Sequence, residues 1–340
     1  MAAANSTNFA PIASFFEKAT LDVAKPLCTL EKFAVKKTLP KRNSKTMVFS
    51  RYERLAPLNG YASAVTKALI EGVVPTAVNP TRTDITVSLS QYGNLSENTD
   101  IATWVNESDV DSEVVARNSQ NMVETVERVY WAGIVGGTTV QRLTDDIGGV
   151  SGVARVNVAG RINAVALNKA LRTLRVNEAL RVTSQLGASA KIGTQGVRDA
   201  YIAIVPSIVV FDLEQIVGYI PVTSYPSQDG VYPGEVGAYK NIRFIESNLA
   251  SAFANAGASV AGTYSTGGSN SDVFAVMIFG KNAFATVELA SSAETTYIPA
   301  GTKDKADPLG QISCIGWKAM CASVILNESW MLRMEVVASA

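Results

Sequence analysis

The 340-residue chain contains no histidine. That omission removes Ser-His-Asp and Cys-His nucleophile systems, histidine metal sites and imidazole acid–base chemistry in one step. The three cysteines, Cys28, Cys314 and Cys321, form no CxxC pair, and they read as small buried hydrophobes rather than a disulfide framework. Paired carboxylates, the raw material of acid–base and cation chemistry, occur at Asp109/Asp111 and Asp145/Asp146. The first pair sits where a helix begins, and a carboxylate there meets the positive end of the helix dipole. The second lies in Asp145-Asp146-Ile147-Gly148-Gly149, a turn composition without calcium-loop spacing. Serines and lysines are plentiful, but nothing marks a Ser–Lys dyad, and the glycines form neither a GxGxxG nor a GK[ST] phosphate loop. The expectation is a chain with no catalytic, cofactor-binding or metal-binding residues, one that works through surfaces.

The elements that would shape those surfaces are long. A rod is expected from Ser108 to about Trp131, capped by Ser108 or Asp109, with Asp111 and Glu113 in its first turn. Val115, Met122, Val126 and Val129 recur along one helical face, and Gly133, Gly136 and Gly137 follow as a stop. Before it, residues 41–93 have the pattern of a long hairpin. Lys45–Tyr52 and Asp84–Tyr92 alternate apolar and polar residues. About 30 residues with Pro57, Gly60, Gly72, Pro75 and Pro80 separate the two limbs, far more than an ordinary hairpin loop. Two such strands cannot bury both faces alone, so the ribbon is expected to lie on a neighbour, with a flap over an active site as the competing reading. Residues 1–40, punctuated by Pro11, Pro26 and Pro40, read as an arm with a short helix around Phe9–Leu21.

Beyond the rod, a second helix is expected at about Asn163–Leu186 and a core strand at Ala200–Pro206. A short helix near Ile208–Ile216, a strand at Ile242–Ile245 and a continuous apolar strand at Val273–Gly280 follow. Trp317–Leu326 and Trp330–Val336 read as a closing hairpin turned by Asn327-Glu328-Ser329, beside the rod. The alternation of strands and helices gives an α+β chain.

Composition supports assembly. Hydrophobic residues make up 47% and charged residues 18%. No apolar run reaches the roughly 18 residues of a membrane span, and no signal peptide opens the chain, so an intracellular product without membrane contact is expected. Lys+Arg and Asp+Glu balance at 30 each but are segregated. Residues 1–60 carry ten basic groups against four acids, residues 97–127 eight acids against Arg117, and residues 161–198 seven basic groups against Glu178. Without Arg/aromatic interleaving, these blocks read as faces that meet one another, within the chain or between copies, more than as a sequence-specific nucleic-acid binder.

Several stretches then combine. Leu39-Pro40, Lys45-Thr46 and Phe49-Ser50-Arg51-Tyr52 are followed by Leu69-Ile70-Glu71-Gly72-Val73-Val74-Pro75, Ile85 to Gly93, and Tyr201 with Val205-Pro206. Gly234-Glu235-Val236-Gly237, Ile242–Glu246, Phe279–Ala283, Asp307–Gln311 and Gly316-Trp317-Lys318 complete the series. In order and spacing the set, from about residue 39 to 337, resembles the major capsid proteins of N4-like tailed bacteriophages. One departure is Val205-Pro206-Ser207, where the family commonly has His-Pro.

The resemblance implies an HK-97-like major capsid fold. Its parts would be an N-terminal arm (1–40), an extended hairpin or E-loop (41–93), a P-domain with a long spine helix (94–150), a central A-domain (151–300), and C-terminal strands (301–340) returning to the P-domain. It implies a non-enzymatic subunit of an icosahedral phage head, located in the virion and assembled in the host cytoplasm. The implied partners are copies of the chain in hexamers and pentamers, portal and scaffolding proteins, a decoration protein, and packaged double-stranded DNA contacted without sequence specificity. No cofactor is implied. Some relatives crosslink a Lys to an Asn, and Lys67 lies in the hairpin tip without a motif for it. The alternatives are an encapsulin-like compartment and a flap-covered hydrolase.

Overall fold

A computed structural model describes residues 29–42, 44–53, 55, 71–74, 79–105, 110–146, 153–182, 199–225, 231–290, 293–303 and 307–340. The expected helix around Phe9–Leu21 and most of the hairpin tip, Lys67 included, lie outside them. In chain order, β1 (Val35–Leu39) precedes a ribbon of β2 (Thr46–Tyr52) and β3 (Arg82–Ser88), and β4 (Ser90–Thr99) leads into helices α1 (Asp100–Val105) and α2 (Val110–Val135). After β5 (Val140–Arg142) come α3 (Ala164–Val176), β6 (Tyr201–Pro206), α4 (Ser207–Glu214), β7 (Tyr219–Pro221), β8 (Glu235–Tyr239) and β9 (Ile242–Ser247). The rest is strand: β10 (Ala252–Phe253), β11 (Val273–Phe279), β12 (Phe284–Leu289), β13 (Glu294–Ile298), β14 (Ile312–Ile325) and β15 (Met331–Val336).

Contacts divide the described residues into a larger unit, 26–92, 123–294 and 318–340, and a smaller one, 93–122 and 295–317. The larger unit is organised by a mixed sheet of order β5-β15-β11-β6-β9-β8-β7, with β10 on β11. β11 lies antiparallel to both β15 and β6, and β6 lies parallel to β9. Both faces of these central strands are covered, which is why they are apolar throughout instead of alternating. On one face Ala203, Val205, Phe244, Val276, Ile278, Leu332 and Met334 pack with Ala166, Leu167, Ala170, Leu171 and Leu174 of α3 and with Val209 and Leu213 of α4. On the other face Ile202, Ile204, Met277 and Phe279 meet Tyr130, Trp131 and Ile134 from the end of α2. Each such aliphatic side chain contributes about 1.5–3 kcal/mol of burial.

The rod is a 26-residue helix, Val110–Val135, and it does not stop before Gly133. A Cβ at Gly133 would lie 2.0 Å from Ser323 Oγ, so the glycine is there to let β14 approach, not to end the helix. The buried side chains of the helix are Asn118, Glu127, Tyr130, Trp131 and Ile134, whereas Val115 is exposed. The closing-hairpin expectation is corrected as well. β14 pairs with β12, whereas β15 pairs with β11 and β5, so the two limbs belong to different sheets. Asn327 caps a short 3-10 turn by accepting from Ser329 N–H, which redirects the chain instead of folding it back. The second helix stops at Val176 because Glu178 adopts positive φ and Asn177 Nδ2 donates to Ser329 O, while Asn177 O accepts from Trp330 Nε1.

Candidate functional site

Among the described residues no group of three acidic or cysteine side chains is placed to hold a metal ion. The candidate functional features are instead exposed faces and the buried charges that hold them in shape.

The β2–β3 ribbon pairs Thr46 with Ser88 through to Tyr52 with Arg82. Alternation sends Met47, Phe49 and Val87 inward onto Leu39, Leu89 and Val287. It sends Val48 and Tyr52 outward, Tyr52 at 66% exposure. Near the ribbon's far end Arg51 Nη1 donates to Leu326 O at 2.9 Å, which tethers it, and Glu53 N–H donates to Thr81 O at 2.8 Å, which closes it. Beyond that closure Val74 is 90% exposed.

In the smaller unit the carboxylate of Asp111 is a hub. It accepts from Asn98 Nδ2 (3.0 Å), Ser313 Oγ (3.0 Å) and Tyr297 Oη (2.9 Å), so β4, α2, β13 and β14 meet on one side chain. The Asn98 hydrogen bond, against a desolvation penalty, holds its carboxyl below the usual range. Asn118 and Asn121 extend the same polar seam to Ile315 O and Trp317 Nε1. Around the seam Leu95, Ile101, Trp104, Val105 and Leu309 face solvent, with Trp104 at 78%.

Among the acids whose side chains the larger unit buries are Glu335, Glu235 and Glu127. Glu335, fully buried, accepts from Arg142 Nε (2.7 Å) and from Arg155 Nε and Nη2 (3.1 and 2.8 Å), with Arg333 Nε 2.9 Å away. Burial alone would raise the Glu335 carboxyl, but hydrogen bonds from Arg155 and Arg142 outweigh it and hold the group below its ordinary value. Glu235 makes a two-armed ion pair with Arg243 and accepts from Tyr225 Oη. Glu127 of α2 accepts from the N–H groups of Thr29 and Leu30 at 2.8 and 2.9 Å, tying the start of the described chain to the helix. Burial pushes the Glu127 carboxyl up, against those two bonds.

The residues singled out from sequence therefore sit apart. Asp111 is the hub above, and Asp109 lies outside the described residues. Asp146 accepts from Arg161 N–H at 2.8 Å and pairs with its guanidinium at 3.3 Å, a pinned turn. Cys321 is buried and its thiol is pushed up to about 11 by burial and by Glu288, which makes it inert, while Cys314 is half-buried. Sequence reasoning missed Glu127, Glu235 and Glu335 as buried anchors. The signal available was a lone acid inside an apolar strand or helix face.

No family model matches the chain, and no curated protein matches it. Solved structures do. The capsid of Ralstonia phage GP4 matches with TM-score 0.66 at 11% identity, covering 100% of this chain and 99% of that one. The capsid structure of cyanophage P-SCSP1u matches with TM-score 0.60 at 14% identity, over 96% and 93% of the two chains. The head structure of Helicobacter pylori bacteriophage KHP40 matches with TM-score 0.60 at 11% identity, over 98% and 97%. The chain has the α+β fold of these phage capsid chains, which is the HK-97-like fold.

Proposed function

We propose that this chain is a major capsid protein, the repeating subunit that self-assembles into hexamers and pentamers of an icosahedral phage head around double-stranded DNA. The observation that carries the reading is the end-to-end match to capsid chains, nearly complete on both sides. In this reading residues 1–40 are the arm, 41–93 the E-loop, 94–150 the P-domain with α2 as its spine, 151–300 the A-domain and 301–340 the returning strands. The C-terminal region divides between two sheets: β14 pairs with β4, β12 and β13, and β15 joins the sheet of the proposed A-domain.

The mechanism is geometric. The ribbon and the smaller unit present apolar side chains that a single copy leaves in water, and rings of heterologous contacts cover them. The portal, scaffolding and decoration partners, and kinship with the N4-like branch in particular, belong to this proposal. The test is electron microscopy and sedimentation of the purified chain, with nuclease-protected nucleic acid measured in the particles. Closed megadalton shells are expected, enclosing DNA when made during infection. A monomer at high concentration would reject the proposal, and shells filled with an enzyme cargo instead of DNA would move it to an encapsulin-like compartment.

A further inference from the structure

α3 buries one side against the large sheet and leaves Arg172 and Arg175 exposed on the other. Lys240 stands across from them, held outward by a positive-φ turn between β8 and β9. With Asn168, Leu171 and Val176 these cations line one shallow, open groove. Its polar atoms are arranged to present charge. Lys240 Nζ donates to Asn168 Oδ1 at 2.6 Å and Arg175 Nη2 to Asn241 Oδ1 at 3.0 Å, so both heads are positioned by neutral amides and not by carboxylates. Arg172 has no partner among the described residues. Among the described residues no carboxylate lines the groove.

The charge suits a polyanion, and at least four of the eight acids in the chain's own acidic block are engaged elsewhere. Asp111 is spent on its hub, Glu127 on Thr29 and Leu30, Glu113 pairs with Arg117, and Asp100 accepts from Ile101 N–H. We propose that the groove of Asn168, Arg172, Arg175 and Lys240 is a contact site for the phosphate backbone of nucleic acid, bound without reading its sequence. The groove displays donors and a point charge but none of the stacking aromatics that grip single strands, which favours a duplex. Within the shell reading, on which its setting rests, the site fixes which side of the subunit looks at the packaged genome.

The test is fluorescence anisotropy of the purified full chain with a labelled random-sequence duplex, titrated with NaCl. Each phosphate contact adds about 0.9 to the slope of log affinity against log salt, so the triple variant R172Q/R175Q/K240Q is expected to lose about 2–3 from that slope. Arg172→Gln alone, which breaks no described contact, is expected to lose about 1. An unchanged slope in both variants would overturn the site. So would displacement of the duplex by inorganic phosphate at constant ionic strength, which would mark a free-ion site. Selective capture of a peptide spanning residues 107–127 by the native groove would overturn it too, in favour of a contact between copies. Particle formation by the same variants is scored separately, so loss of DNA binding with intact shells is distinguishable from failure of the shell reading.

Discussion

Glu335 shows how a single side chain can set the character of a whole strand. With Arg333 it reads as the polar face of an alternating strand, yet every residue of β15 is buried. The charges survive there because Arg142 and Arg155 reach in from β5 and from the 3-10 turn Arg155–Asn157. Replacing Glu335 by leucine leaves three guanidinium groups without a counter-charge, and a loss of about 3–5 kcal/mol in urea unfolding is expected. The sign of its pH dependence follows from a depressed carboxyl. Its stabilisation is present above the unfolded carboxylate range and is lost as pH falls through the lower folded value. Glu127 has the opposite sign. Its carboxyl is raised, so its contribution is full below the unfolded value and fades as pH rises through the folded one. Glu127→Gln keeps the acceptor and removes the buried charge, so its stability at pH 7 should equal or exceed that of the native chain. Glu127→Ala strands the N–H groups of Thr29 and Leu30, both fully buried, and should cost about 1–3 kcal/mol. Equal stabilities for the Gln and Ala variants in the same denaturation series would remove Glu127 as an anchor.

At the scale of elements, the apolar strands β6 and β11 were legible because continuous burial leaves a continuous apolar run, and α2 because Val126 and Val129, which pack on the core, recur at helical spacing. The end of α2 was not legible. Gly133 looks like a terminator until the approach of Ser323 is seen, and Gly133→Ala should force α2 and β14 apart at a cost of about 1–3 kcal/mol, read as a lowered Tm. The closing strands misled for a related reason. Alternation specifies a strand but not its partner, and a three-residue connection suits a hairpin as well as a step between sheets. The ribbon was read correctly as two antiparallel strands, though its return limb breaks at Leu89 and continues as β4. Because Glu53 and Thr81 already close the pair, residues 55–79 are replaceable by a short Gly-Ser link without removing Arg82 from its pairing with Tyr52. The expected product has a native circular dichroism spectrum and forms no shells. Normal particles in negative stain would show that the tip is dispensable and would remove the ribbon from the assembly mechanism.

For the whole molecule, the two units differ in what holds them. The larger has apolar layers on both faces of its central sheet. In the smaller, Ile315 and Trp317 are the buried hydrophobics among the described residues, and its order depends on the Asp111 hub and the Asn118–Asn121 seam. Hydrogen bonds of this kind contribute about 0.5–1.5 kcal/mol each, too little to replace a core, so the smaller unit should open well below the global unfolding energy. Under the proposed shell function, its exposed Leu95, Ile101, Trp104 and Leu309 are the side chains a neighbouring copy would cover. Hydrogen–deuterium exchange on the free subunit and on assembled shells tests this directly. Amides of residues 93–122 and 295–317 should exchange early in the subunit and gain protection of tenfold or more on assembly, equivalent to about 1.4 kcal/mol. Those of β6 and β11 should be protected in both. Asp111→Asn, which weakens the hub, should accelerate the first group and leave the second unchanged. If the smaller unit is as protected alone as in the shell, it needs no neighbour, and assembly must be driven from elsewhere on the surface.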